Sequence, residues 1–106
     1  MHRFLLAALG GVFIIAFQAL GLTAAADNAD ILVEECNAQL NLGDSGCACI
    51  GDHAQQVLNE NQQGLVVAMV TKDQAGAAAL RSEMTIEEIT GAAEFMMEAP
   101  QICASQ

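Results

Sequence analysis

The chain has 106 residues, with 13 acidic side chains against three basic ones and a formal charge of −10. A surface this acidic repels phosphate backbones and anionic headgroups. Four Phe with no Trp or Tyr offer no platform on which bases or sugars stack, so nucleic-acid binding and an aromatic sugar cleft are excluded.

The chain opens with a short basic start, "MHR", and the uncharged apolar run "FLLAALGGVFIIAFQALGL". Ala24 and Ala26 then stand at the −3 and −1 positions of an A-x-A cleavage site, followed by Asp27. This is the pattern of a secretory signal peptide over residues 1–26. The apolar run is nearly long enough to span a bilayer, but Gln18, the glycines and the A-x-A site favour cleavage over retention as an anchor. Residues 27–106 then form one domain of 80 residues, a size at which a core alone supplies only a few kcal/mol. Arg3 leaves with the leader, so Lys72 and Arg81 face all 13 acids and the formal charge becomes −11. Phe95 is the one aromatic ring that remains.

"ADILVEECNAQL" puts Leu32, Val33, Cys36 and Leu40 on one helical face, with Asp27 or Asn28 to cap its start. "NLGDSG" breaks the pattern, and Asp44 or Ser45 is placed to cap a second helix. Its apolar stripe is Cys47, Ile50, Ala54, Val57 and Leu58. Asn59 and Gln62 have the spacing of a capping box ahead of "LVVAMV". Those β-branched residues would suit a strand, but a lone strand is not stable, so the segment is predicted helical. "DQAGAAALRSE" reads as a weak Ala-rich helix in which Gly76 costs about 1 kcal/mol. Thr85 and Glu88 form a second capping box at the head of "TIEEITGAAEFMMEAP". There Ile86, Ile89, Ala93, Met96 and Met97 are predicted to be buried, and Pro100 to end the helix. The fold class is therefore all-α, a small bundle of four to five short helices.

All four cysteines, Cys36, Cys47, Cys49 and Cys103, follow the leader. An even count in a short exported chain reads as a disulfide framework. Cys47 and Cys49 point about 200° apart on one helix, so each reaches a different partner. Two pairings remain, and the height of Cys49 across the hairpin favours Cys36–Cys49 with Cys47–Cys103. Other chemistries are less well served. Cys49 and His53 share a face as metal ligands do, and Cys36 or Cys47 would add a third, but the paired C-x2-C of common zinc sites is absent. Met69, Met84, Met96 and Met97 would suit a soft copper(I) ion, although core filling is the ordinary role of methionine. The C-x-C pair at a helix start suits a redox thiol, yet the acids around it oppose a lowered pKa. His53 is expected to be a partly exposed helix residue. No nucleophilic triad, EF-hand loop or C-x-x-C-H haem motif is present, so no catalytic, metal or cofactor residue is assigned.

With an early helix Cys36, a Cys47-x-Cys49 opening the next helix and a late Cys103, the chain resembles small exported four-cysteine helical proteins of Gram-negative bacteria. That likeness implies a periplasmic or secreted location and carries no activity. In size, helicity and charge it is also similar to periplasmic acid-stress chaperones, which typically have a single disulfide. Three functions follow as expectations. The first is a non-enzymatic binding or interaction protein with a protein partner and no membrane association after cleavage. The second is a chaperone that loosens as its carboxylates protonate near pH 3. The third is a thiol–disulfide redox protein using Cys47 and Cys49.

Overall fold

The computed structural model describes residues 24–105. The leader expected over residues 1–26 lies outside them except for its last three residues. Among the described residues there are five helices and no strand: α1 (Ala24–Gln39), α2 (Gly43–Val57), α3 (Glu60–Val70), α4 (Gln74–Arg81) and α5 (Ile86–Cys103). The fold is thus the all-α bundle with two disulfides, and "LVVAMV" is helical.

α1 and α2 form an antiparallel hairpin. Their approach is close: a Cβ on Gly51 would lie 2.7 Å from Val33 Cγ2 and 3.4 Å from the Ala29 carbonyl oxygen. Only glycine fits there without a shift. α3 packs on α1, α4 and α5, and α5 also packs on α2. The core between them is built from Leu32, Ile50, Leu65, Val66 and Phe95, with Cys47 and Cys103 and several alanines filling the rest.

Both predicted capping boxes form, and they lie side by side. Asn59 Oδ1 accepts from the Gln62 amide at 2.9 Å, and Gln62 Oε1 accepts from the Asn59 amide at 2.8 Å. Thr85 Oγ1 accepts from the Glu88 amide at 3.1 Å, and Glu88 Oε1 from the Thr85 amide at 3.0 Å. The two boxes are then joined. Asn59 Nδ2 donates to Glu88 Oε2 at 2.7 Å, and Gln62 Nε2 to the Glu88 carbonyl at 3.0 Å. This brings the N-termini of α3 and α5 together, so the two helices run parallel. The backbone amide of Thr85, and after it the Asn59 amide, hold the Glu88 carboxyl below its ordinary value of 4.5.

The remaining helix ends depart from expectation. α1 begins at Ala24, ahead of Asp27 and Asn28. α2 has no side-chain cap: the chain enters it from Leu42 through Gly43 at φ +78°, leaving Asp44 in the first turn. There Asp44 still favours the positive end of the helix dipole. Asp73 caps α4 by accepting from the Gly76 amide at 3.0 Å.

α5 shows the largest difference. Its buried residues are Ala92, Phe95, Ala99 and Cys103. Ile89 and Met96 are partly buried, whereas Ile86 is 79% and Met97 68% exposed and Ala93 is exposed. The buried face is turned by about 100° from the predicted one, the equivalent of one residue. Cys103 sets this rotation because it must face α2, and the small Ala92 and Ala99 let the backbone approach. Val57 on α2 is likewise 52% exposed rather than buried. Nor does Pro100 end the helix: α5 runs through it to Cys103, whose bridge holds the last turn in place.

α3 ends in a Schellman arrangement, in which the Asp73 amide donates to the Ala68 carbonyl at 2.8 Å and the Lys72 amide to Met69 at 3.2 Å. The left-handed position, φ 61°, is occupied by Lys72 rather than glycine. A side chain there costs about 1–2 kcal/mol, partly offset by the greater freedom of glycine in the unfolded chain. Lys72→Gly is expected to raise stability by about 0.5–1 kcal/mol, read as a higher urea midpoint at unchanged slope.

Glu88 makes stability depend on pH. Its folded value is depressed, so its contribution is present above 4.5 and is lost as pH falls through the folded value. Glu88→Gln is therefore expected to destabilise at pH 7, with the gap from wild type closing on acidification. Urea melts of both proteins across pH 7 to 2 check this.

Candidate functional site

The four cysteines come together as two bridges, though not in the favoured pairing. Cys36 bonds Cys47, with Cα atoms 5.5 Å apart, and Cys49 bonds Cys103 at 5.6 Å. The hairpin explains the correction. Cys36 lies three residues before the end of α1 and Cys47 four after the start of α2, so they stand level across the turn. Cys49 is about 3 Å further along α2 and about 200° around it, which aims it at α5. The C-x-C sulfurs therefore serve separate bridges, and no cysteine is free. Cys47 and Cys49 are thus not bonded to each other. Two intramolecular disulfides fit an oxidising compartment.

His53, one turn after Cys49, stacks on Phe95 with ring centroids 5.7 Å apart and planes at 22°. This is a packing contact that sets one side of the Phe95 ring against α2. Among the described residues no group of three His, Cys, Asp or Glu side chains is placed to hold a metal ion. None of their helices is long and apolar enough to cross a membrane. Gln63 is buried and ties α3 to the end of α2 by donating to the Leu58 carbonyl at 3.0 Å, while its Oε1 has no donor.

Among the described residues, a mainly apolar cleft of about 210 Å³ lies between α1, α3 and α5, floored by Ile50 of α2. α1 contributes Leu32, Cys36 and Leu40; α3 contributes Val66 and Val70. The α5 wall is Phe95, Met96, Ala99 and Pro100. A cavity of about 150 Å³ lined by such residues accepts benzene, so the cleft takes a leucine-, methionine- or phenyl-sized group. Its mouth is open, and Leu40 there is 41% exposed.

Two polar side chains stand in this apolar lining. Gln39 Nε2 donates to Glu35 Oε2 at 2.6 Å and to the Val70 carbonyl at 3.0 Å, tying the end of α1 to the end of α3. Both amide hydrogens are used, so the Gln39 oxygen and the Glu35 carboxylate are left as acceptors. The opposite wall has a gap in its helix ladder. Pro100 has no N–H, so the Met96 carbonyl loses its donor four residues on.

Sequence reasoning placed the cysteines and their helices but did not find this cleft. Two signals for it were present. Glu35 and Gln39 are one turn apart on the apolar side of α1. Pro100 lies four residues after Met96 in a run that continues to a cysteine. In comparisons with known proteins, no family model, curated protein or solved structure matches this chain.

Cys103→Ala is expected to free Cys49 and leave Cys36–Cys47 intact. The lost bridge closes a sequence separation of 54 residues, and removing it is expected to cost about 4 kcal/mol. Peptide mapping after alkylation identifies the free thiol, and thermal melts measure the loss.

Proposed function

We propose that this chain is a small exported binding module, periplasmic or secreted, that takes an apolar group of a protein partner in the α1–α3–α5 cleft. The observation that carries the proposal is the cleft itself, whose lining is apolar apart from Glu35 and Gln39. Its walls are fixed from both sides. Cys36 lies in the α1 wall and is bridged to α2, while the α5 wall is tethered through Cys103. A preorganised pocket of this kind binds without the cost of ordering its walls.

A non-enzymatic role accounts better for the residues than catalysis. The sulfurs are spent in bridges, His53 is spent on Phe95, and the cleft holds one carboxylate and no nucleophile. The acid-chaperone alternative receives less support: the carboxylate whose protonation costs cap bonds, Glu88, sits at the opposite end of α3 and α5 from the cleft.

A neutral apolar probe tests the reading. Indole titrated into the disulfide-bonded protein is expected to shift the methyl resonances of Leu32, Val66 and Met96 saturably in NMR spectra. Shifts that stay linear, or that scatter over the surface, would overturn it.

A further inference from the structure

The one charged side chain in the lining of the cleft is acidic. Glu35 supplies a carboxylate beside Gln39, and Pro100 leaves the Met96 carbonyl without its usual donor four residues on. The cleft also lies between the C-terminal turns of three helices: Gln39 ends α1, Val70 ends α3, and Pro100 is in the last turn of α5. A helix C-terminus carries roughly half a negative charge, and none of these three has a basic residue in its last turn. The cations beyond the leader are Lys72 and Arg81, and both line a different hollow, with Asp73 and Ala77, on the α4 side of α3. The cleft is apolar at its centre and negative around its rim.

Resting on the binding-module reading, we propose that the occupant is a basic apolar segment of another protein. An aliphatic or aromatic side chain fills the cleft. A Lys or Arg about one helical turn away donates to the Glu35 carboxylate or the Met96 carbonyl. Charge complementarity selects this occupant. It also disfavours a second copy, which would bring another strongly acidic surface against the first. The open mouth suits a side chain projecting from a larger surface.

The test uses the disulfide-bonded protein and three peptides on one amphipathic 14-residue frame, with Leu on one face and Lys, Gln or Glu on the other. The Leu–Lys peptide is expected to shift the cleft methyls and to bind at least about tenfold more tightly than Leu–Gln, with Leu–Glu weaker still; 1.4 kcal/mol corresponds to tenfold. Its affinity falls with added salt. Glu35→Gln is expected to weaken Leu–Lys about fivefold, equivalent to about 1 kcal/mol, and to leave Leu–Gln unchanged. Glu94→Gln, an equal charge change at an exposed site on α5 outside the cleft, leaves both unchanged.

Equal binding of the Lys and Gln peptides would overturn the cationic inference and leave the apolar cleft standing. Equal weakening by Glu35→Gln and Glu94→Gln would show diffuse attraction and overturn it too. Hexylammonium binding as tightly as Leu–Lys would replace the protein segment with a small cation. Cleft shifts with indole but none with any peptide would reject a protein occupant, whereas silence toward every probe would reject the binding module itself.

Discussion

The position of one dipeptide step on α2 governs the rest of this structure. Cys47 and Cys49 are two residues apart, so a regular helix sends their side chains to nearly opposite sides. Each sulfur meets a different neighbour, and α2 is fastened to α1 on one side and to α5 on the other. The first bridge fixes the register of the hairpin and with it the Gly51–Ala29 contact. The second fixes the rotation of α5, which decides that Phe95 and Ala99 turn inward while Ile86 and Met97 face solvent.

At the far end of the bundle a different interaction does the same task. The joined capping boxes of Asn59–Gln62 and Thr85–Glu88 align the starts of α3 and α5. Each box satisfies backbone donors that a helix terminus leaves open, and the hydrogen bonds between them hold two helices to one level. With the N-termini level and the helices parallel, the 11-residue α3 ends beside Phe95, Met96 and Pro100 of the 18-residue α5, next to the end of α1. The Gln39 side chain closes that side by bonding the Val70 carbonyl. The cleft thus follows from alignment at the opposite end, and its acceptor-rich rim follows from the shared direction of three helices.

The features legible in the sequence were those decided within a few residues. Both capping boxes are four-residue patterns, and they formed as read. So did the helical state of "LVVAMV", whereas the break read over "NLGDSG" lies earlier, at residues 40–42, with Gly43 already opening α2. The features misread were decided by distant partners. The spacing of Ile86, Ile89, Ala93, Met96 and Met97 predicts one buried face of α5, but Cys103 and two alanines set another through packing and a covalent tie. Pro100 reads locally as a terminator, yet the bridge two turns beyond the Phe95 ring carries the helix past it. The cysteine pairing depended on how many residues of α1 and α2 flank the turn, and helix ends are where periodicity is least informative. The cleft could not be read at all, because it is bounded by three helices whose relative rotation the sequence does not state.

Composition also explains why the cleft exists. The described core has one Phe, whose ring stacks on His53 and forms only part of the cleft wall. Many of its other buried positions are Ala or Cys, among them Ala54, Ala92, Ala99 and Cys47, so little bulk is available to fill the space between α1, α3 and α5. Unfilled volume costs about 24 cal/mol per Å³ in a closed core. At 210 Å³ this amounts to at most about 5 kcal/mol, and less because the cleft opens to solvent. Two bridges closing separations of 11 and 54 residues nominally contribute about 7 kcal/mol together. The covalent frame is therefore large enough to offset the open space in a domain whose core is otherwise small. A sequence that placed Leu at Ala99 could gain packing instead, and would close the cleft in doing so. The pairing of small residues on α5 with a bridge at its end keeps the helix in position and the wall hollow.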